Sequence, residues 1–274
     1  MRLDHVTEPV RRTVHAEPVM GTVVSLDLRG SGDHAAAIGD AVAWFHEVGR
    51  RFSPYRPDSE VCRAGRGELA ERDRSPELVE VLEACDAVAL SSGGAFSAWR
   101  DGGLDPSAYV KGWSAQRAAA LLRAHGCADW SINAGGDVLL AGRPAPGTTW
   151  VVGVQHPFDR EAIATTVHGT DLAVATSGTY ERGEHIVDPA TGHTVHVAVS
   201  VTVIGPDLGL ADAYSTAAFA LGEAGPAWVA GLPGYDSYTI WADGRVTATA
   251  GFPTSVHGVP VTMVPHAAGL LGAA

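Results

Sequence analysis

Apolar positions recur along this chain with two different periods. Between residues 12 and 29 they alternate with polar ones, most clearly over 23–28, and Pro18 and Met20-Gly21 break the run into two strands. From residue 33 the period lengthens. Asp33 is placed to cap a helix through about residue 50, with Ile38, Val42, Phe45 and His46 or Gly49 along one face. Pro54 and Pro57 shape an ordered loop, and Asp58-Ser59 opens a short helix. Ser75-Pro76-Glu77 starts the next helix with proline at its first position. Leu78, Val81, Leu82, Cys85 and Val88 follow at helical spacing until Gly93-Gly94 ends it. Residues 104–110 lead into a further helix that runs to about His125 and stops at Gly126.

After Trp130 the short period returns. Residues 131–133, 138–140, 150–154, 163–167, 172–175 and 195–204 predict strands. Residues 210–221, rich in alanine, and 224–230 predict helices. Residues 238–241 and 246–250 flank Asp243-Gly244 as a hairpin. Residues 1–11 read as an extension and 251–274 as an irregular tail around a single unit over 12–250. Strands and helices mix without an internal repeat or a low-complexity linker. That pattern predicts an α+β fold with mixed sheets and flanking helices.

Composition narrows the function. The chain has 274 residues, 46% of them hydrophobic, with 33 Gly and 16 Pro, which fits a loop-rich globular protein and not a disordered one. A net charge of −12 argues against a nucleic-acid partner, because phosphate contacts need a basic face. An anionic ligand then needs a local device such as a metal ion or a helix N-terminus. Lys111 is the only lysine among many arginines, so it is not an interchangeable surface cation. Cys62, Cys85 and Cys127 lack a Cys-x-x-Cys spacing and read as reduced thiols. The first residues carry charges and no apolar h-region, and no apolar run is long enough to span a bilayer; the expected location is cytoplasmic.

Four clusters carry candidate chemistry. Ser177 to Gly192 gathers Ser, Thr, Tyr, Glu, Arg, His and Asp between apolar runs, with His185 three residues before the rigid Asp188-Pro189 turn. A histidine held there suits proton transfer, or simply bonds a loop. Asp212 and Thr216 are i and i+4 on a helix, and their oxygens suit a hard cation such as Mg²⁺. The alternative is an aspartate favoured by the helix dipole and a threonine bonded to a backbone carbonyl. Lys111 falls early in a helix, where a cation is misplaced unless an anion lies near; it is a candidate phosphate or adenine contact, or it snorkels into water. Asn133-Ala134-Gly135-Gly136-Asp137 lets backbone approach a ligand, or forms an ordinary hairpin. His185, His193 and His196 raise zinc, but their spacing matches no common zinc site.

In their order, these motifs resemble the ApbE family from about residue 20 to 221, and less clearly to about 250. The segments that carry the resemblance are Met20-Gly21-Thr22, Tyr55 with Asp58-Ser59-Glu60, Ser92 to Phe96, Asp105 to Gly112, Asn133 to Asp137, Trp150 to Pro157, Thr176 to Arg182, His185 to Gly192 and Ala211 to Thr216. The resemblance implies a single α+β unit of the T-fold-like type. It implies an enzyme that splits FAD with Mg²⁺, attaches FMN through its phosphate to a Ser or Thr hydroxyl of an acceptor protein, and releases AMP. It also implies FAD contacts at Met20, Ser53, Tyr55, Ser97, Lys111, Ser177, His185 and Ile186, metal contacts at Asp212, Thr216 and the carbonyl of Ala108, and His185 as base. Two departures stand out: Ser97 replaces the usual Asp, and Pro106 to Val110 differs from the common Leu-Gly-Ala-Ile-Ala. No lipobox is seen, so the expected acceptor is cytoplasmic. The rival activities are FAD hydrolysis to FMN and AMP, and flavin binding without catalysis; loss of His185 or Asp212 would have favoured the latter, and both are present.

Overall fold

A hairpin of β1 (Arg11–Val19) and β2 (Thr22–Gly30) opens the fold, with Val19 opposite Thr22. Its two turn residues, Met20 and Gly21, have φ of 54° and 72°. A two-residue hairpin demands this left-handed pair, which Gly adopts freely and Met does not. The computed structural model describes residues 11–100, 103–178, 198–253 and 261–266. The helices α1 (Ala35–Arg51), α2 (Glu60–Gly65) and α3 (Pro76–Ser91) follow, then a short hairpin of β3 (Trp99–Arg100) and β4 (Gly103–Leu104), then α4 (Ser107–Ala124). The second half supplies β5 (Asp129–Ala134), β6 (Asp137–Ala141), β7 (Trp150–His156), β8 (Asp159–Gly169), β9 (Leu172–Gly178) and β10 (Ala198–Gly205). It ends with α5 (Leu208–Leu221), α6 (Gly225–Val229), β11 (Asp236–Trp241), β12 (Val246–Thr249) and β13 (Val261–Val264).

Among the described residues, nine strands form one sheet in the order β1-β2-β5-β6-β9-β10-β11-β12-β13. Neighbours are antiparallel except β12 and β13, which are parallel. The chain is therefore α+β, with helices on one face. Alternation sends Leu26, Leu28, Trp130, Ile132, Val201 and Val203 into a core with Phe45 of α1, Leu122 of α4 and Phe219 of α5. The opposite face is partly covered by the β7–β8 hairpin, whose Val154 and Val167 pack on Val174, Ile204 and Ile240. A second core joins α1, α2, α3, α4 and α5 through Val48, Val61, Leu78, Cys85, Trp113 and Ala217. No described helix is long and apolar enough to cross a membrane.

Several expectations are corrected. The buried face of α1 is Ala37, Ala41, Phe45 and Val48, and His46 is exposed, 2.8 Å from Glu17. Small alanines let the helix lie close on the sheet, so side-chain size misled the choice of face. His34 is its N-cap residue, while Asp33 Oδ1 accepts the Ala35 N–H at 3.0 Å. The tail read as irregular contributes β13 to the main sheet.

The crossing of α4 and α5 positions the site. A Cβ at Gly112 would be driven into the carbonyl of Leu208, and one at Gly209 would press on Tyr109 and Trp113. Backbone cannot yield as a side-chain tip can. Gly112→Ala should therefore lower stability by about 1–3 kcal/mol, read as a drop in melting temperature. An unchanged melting temperature would show that the helices can separate at no cost.

Candidate active site

A cavity of about 250 Å³ opens where the β1–β2 turn meets α1, the following loop and the start of α4. Its lining includes Met20, Gly49, Phe52, Ser53, Pro54, Tyr55, Val110 and Lys111. The left-handed backbone at Met20 brings its thioether within 3.9 Å of the Ser114 hydroxyl on α4. Backbone strain of this kind is kept where the surroundings fix it, and functional sites are common places for it.

The loop 53–57 is tied down from α2. Ser59 is the N-cap of α2; its hydroxyl accepts the Cys62 N–H at 3.0 Å and donates to the Ser53 carbonyl at 2.8 Å. The Cys62 thiol lies 3.3 Å from the Pro54 carbonyl, and the Arg66 guanidinium donates to that of Pro57 at 2.8 Å. Tyr55 is thus held at the rim while the residue remains 91% exposed. An exposed ring on an anchored loop is a ready surface for a planar ligand.

Lys111 leads from the cavity to two buried carboxylates. Its ammonium is 2.6 Å from Asp137 Oδ2 and 3.9 Å from Asp212 Oδ2. The anion that an early helical lysine demands is thus supplied first by the protein itself. Asp212 projects from the second turn of α5, whose N-cap is Asp207. Burial pushes the Asp207 carboxyl above its ordinary range, while the N–H groups of Leu210 and Gly209 pull it back.

Asp212 and Thr216 are both buried, and a web of hydroxyls surrounds them. Ser177, at the end of β9, has its Oγ 2.8 Å from Ser215 Oγ and 3.2 Å from Thr216 Oγ1. Ser215 in turn donates to the Asp212 carbonyl at 2.8 Å. Thr216 is therefore engaged by a side chain and not by the backbone carbonyl its helical position allowed. Among the described residues no three His, Cys, Asp or Glu side chains converge on one point. The Asp212 carboxylate and the neighbouring Ser177, Ser215 and Thr216 hydroxyls offer oxygen donors, a type that suits a hard cation and not a soft one.

Met20, Ser53, Tyr55 and Lys111 share the cavity. Asp212, Thr216 and Ser177 lie beside its inner end through Lys111. Ala108 lies in the first turn of α4, partly buried against the helical core. Ser97 does not line the cavity; its hydroxyl donates to the Trp99 carbonyl at 2.9 Å and accepts the Trp99 N–H. His185, Ile186, Asp188, His193 and His196 lie outside the described residues. Asn133 Oδ1 accepts the Gly136 N–H at 2.9 Å, and Gly135 packs on Thr22, so this motif closes a hairpin. The three cysteines are unpaired, and burial pushes the Cys85 thiol up to about 12, which leaves it inert. A larger cavity of about 450 Å³, between β7 and the far face of the sheet, is lined by Asn133, Gly136 and Thr176 but, among the described residues, by none of those expected to touch FAD or the metal.

Sequence reasoning missed Asp137 as a partner of Lys111, and Phe52 and Val110 as cavity walls. A carboxylate heading the fully buried strand β6 was the available signal, since a buried charge requires a partner.

Comparison with known proteins gives a consistent picture. A sequence profile described as "ApbE family" matches residues 20–100 and 98–239. The "FAD:protein FMN transferase" of Treponema pallidum is 35% identical over 167 residues, 54% of this chain and 46% of that protein. The protein of the same name from Escherichia coli K12 is 32% identical over 151 residues, 52% of this chain and 43% of its own length. The matches thus span less than half the length of these relatives. Among solved structures, "Flavin Transferase ApbE from Vibrio cholerae" superposes with a TM-score of 0.76 at 22% identity, covering 88% of this chain and 97% of that one. The Pseudomonas stutzeri flavinyl transferase ApbE, apo form, gives 0.76 at 22% identity, covering 88% and 95%.

Proposed function

Because this chain belongs to the ApbE family, we propose that it is a Mg²⁺-dependent FAD:protein FMN transferase. It cleaves the FAD diphosphate, joins the FMN phosphorus to a Ser or Thr oxygen of an acceptor protein, and releases AMP. The observation that carries this reading is the arrangement of one cavity: thioether and aromatic walls at its mouth, and at its inner end the single lysine set between buried carboxylates.

Each group has a distinct task. Met20, Phe52 and Tyr55 offer apolar surface to the flavin ring. Lys111 pairs with a diphosphate oxygen. Asp212, Thr216 and the carbonyl of Ala108 would hold Mg²⁺, which supplies neutralisation of the diphosphate charge and makes its phosphorus a better electrophile. The acceptor hydroxyl loses its proton to the His185 imidazole, which Asp188 orients, as its oxygen attacks the FMN phosphorus and the bond to AMP breaks. Ser177 and Ile186 complete the FAD contacts; Ser97, whose hydroxyl is bonded to the Trp99 backbone away from the cavity, does not.

Product analysis tests this directly. FAD, Mg²⁺ and a Ser/Thr acceptor peptide should yield AMP and flavinylated peptide in equal amounts. Free FMN in place of modified peptide would mark a pyrophosphatase, and intact FAD would contradict both. Lys111→Ala should weaken FAD binding in Mg²⁺ far more than Arg72→Ala, whose side chain is 84% exposed. Arg123 is a poorer control because its guanidinium stacks 5.0 Å from the Trp130 ring. Equal, negligible changes in the FAD dissociation constant would remove Lys111 from the ligand contacts.

A further inference from the structure

The cavity of about 450 Å³ between β7 and the far face of the sheet is larger than the one that holds Lys111. All six residues from Trp150 to Gln155 line it. Side chains of a strand alternate in direction, so an unbroken run means that the backbone edge of β7 faces the cavity. Among the described residues β7 pairs with β8 and with no other strand, and such an edge carries N–H and C=O groups that can receive a further strand. The floor is polar and made of short side chains. Ser25 lies opposite Asn133, and Asp27 opposite Ser131, on β2 and β5. At the outer end the Arg12 guanidinium lies 3.0 Å from Asp27, with its side chain 61% exposed. At the inner end the lining reaches Gly136 and Thr176. Both flank Asp137: Gly136 precedes it in the chain, and the Thr176 N–H donates to its Oδ1 at 3.0 Å. The other oxygen of Asp137 lies 2.6 Å from Lys111, which lines the flavin cavity. Asp137 thus stands between the two cavities.

We propose that this second cavity is the docking groove for the acceptor protein, which enters as an extended segment and adds a third strand to the β7–β8 hairpin. The proposal rests on the flavin reading above. Backbone pairing along β7 supplies affinity with little dependence on sequence, and the floor supplies the selection. Above Ser25, Ser131 and Asn133 it admits small polar side chains such as Ser, Thr, Asn or Gly. Arg12 offers a cation to an acidic side chain at the outer end. From Ser131 to Gly136 the floor runs about 17 Å, in steps of about 3.3 Å per residue. A segment of about five residues fills that length and delivers the hydroxyl that follows it to the Asp137 end, beside Lys111.

Two measurements test this. The first is amide hydrogen exchange on the wild-type enzyme with FAD and Mg²⁺. The probe is an acceptor protein whose mass rises by one FMN, with its modified residue changed to alanine so that it docks without reacting. Amides of residues 151–155 should exchange about tenfold or more slowly with the probe present than with FAD alone. The second is transfer kinetics with the unaltered acceptor. Ser131→Trp fills the floor, and Ser25→Trp fills it from the neighbouring strand. Each should raise the acceptor KM by about 10–100-fold, the size of losing one or two well-packed contacts. The kcat at saturating acceptor, the FAD dissociation constant and the melting temperature should stay at wild-type values. No slowing of exchange along β7, or an unchanged acceptor KM in both variants, would overturn the proposal while leaving the flavin reading intact. A rise in KM that comes with weaker FAD binding and a lower melting temperature would assign these positions to the fold and overturn it as well. If neither variant folds, the exchange measurement on the wild type decides alone. Failure of every acceptor tried to gain FMN would overturn the flavin reading itself, and this proposal with it.

Discussion

Asp212→Ala is expected to lower FAD turnover by about three powers of ten, the rate equivalent of about 4 kcal/mol of lost charge stabilisation. The loss follows from the proposed role of this carboxylate as the anionic ligand of Mg²⁺. The fold should survive. Removing one partner of a buried ion pair is usually costly, but Asp212 and Asp137 share one ammonium, and the closer pair at 2.6 Å remains. Loss of a second negative charge also relieves repulsion between the carboxylates. The melting temperature without metal should stay within about 4 °C of wild type, and FAD should still bind. A variant that turns FAD over at the wild-type rate in limiting Mg²⁺ would show that the cation is held elsewhere. A variant that unfolds would show that Asp212 serves structure first.

His185→Ala should slow FMN transfer by about 10²–10⁴-fold, the usual size of a general-base effect, and leave FAD affinity nearly unchanged. The base acts on the acceptor hydroxyl, which FAD binding does not involve. The sign of the pH dependence follows from the same role. The imidazole must be neutral to accept a proton, so the wild-type transfer rate should fall as acid protonates it, within the range where histidine titrates, between about pH 5 and 8. The variant should lose that acid limb. A histidine that only stiffens the Asp188-Pro189 turn would behave otherwise, because its removal would reduce FAD affinity, melting temperature and rate together. Measuring all three on one preparation separates the two.

Local signals were the legible part of the fold. The Ser75 hydroxyl accepts the Leu78 N–H at 3.1 Å, Pro76 opens α3, and Leu78, Val81, Cys85 and Val88 are its buried face, as the spacing required. The Met20-Gly21 break is the β1–β2 turn. What depends on distant partners was not legible. The α1 face turned on how closely alanine lets a helix approach the sheet. β13 pairs in parallel across a long connection, so no turn chemistry announces it.

The site divides in the same way. Lys111 stood out as the one lysine, placed early in a helix, and Asp212 and Thr216 as oxygen-bearing side chains one helical turn apart. The pairing of Lys111 with Asp137 was hidden. It depends on the β5–β6 hairpin carrying Asp137 beneath α4, and no spacing along the chain encodes that contact. Phe52 and Val110 are core positions that also wall a cavity, and apolar character alone does not mark that second role.

The central claim is that FMN passes from FAD to a protein hydroxyl, and the mass of the acceptor tests it most directly. A candidate acceptor protein is incubated with FAD, Mg²⁺ and the wild-type enzyme, in parallel with Asp212→Ala, and intact and fragment masses are recorded. The account predicts a gain of one FMN on a single Ser or Thr with the wild type and no gain with the variant. An unmodified acceptor in a reaction that has consumed its FAD would contradict it.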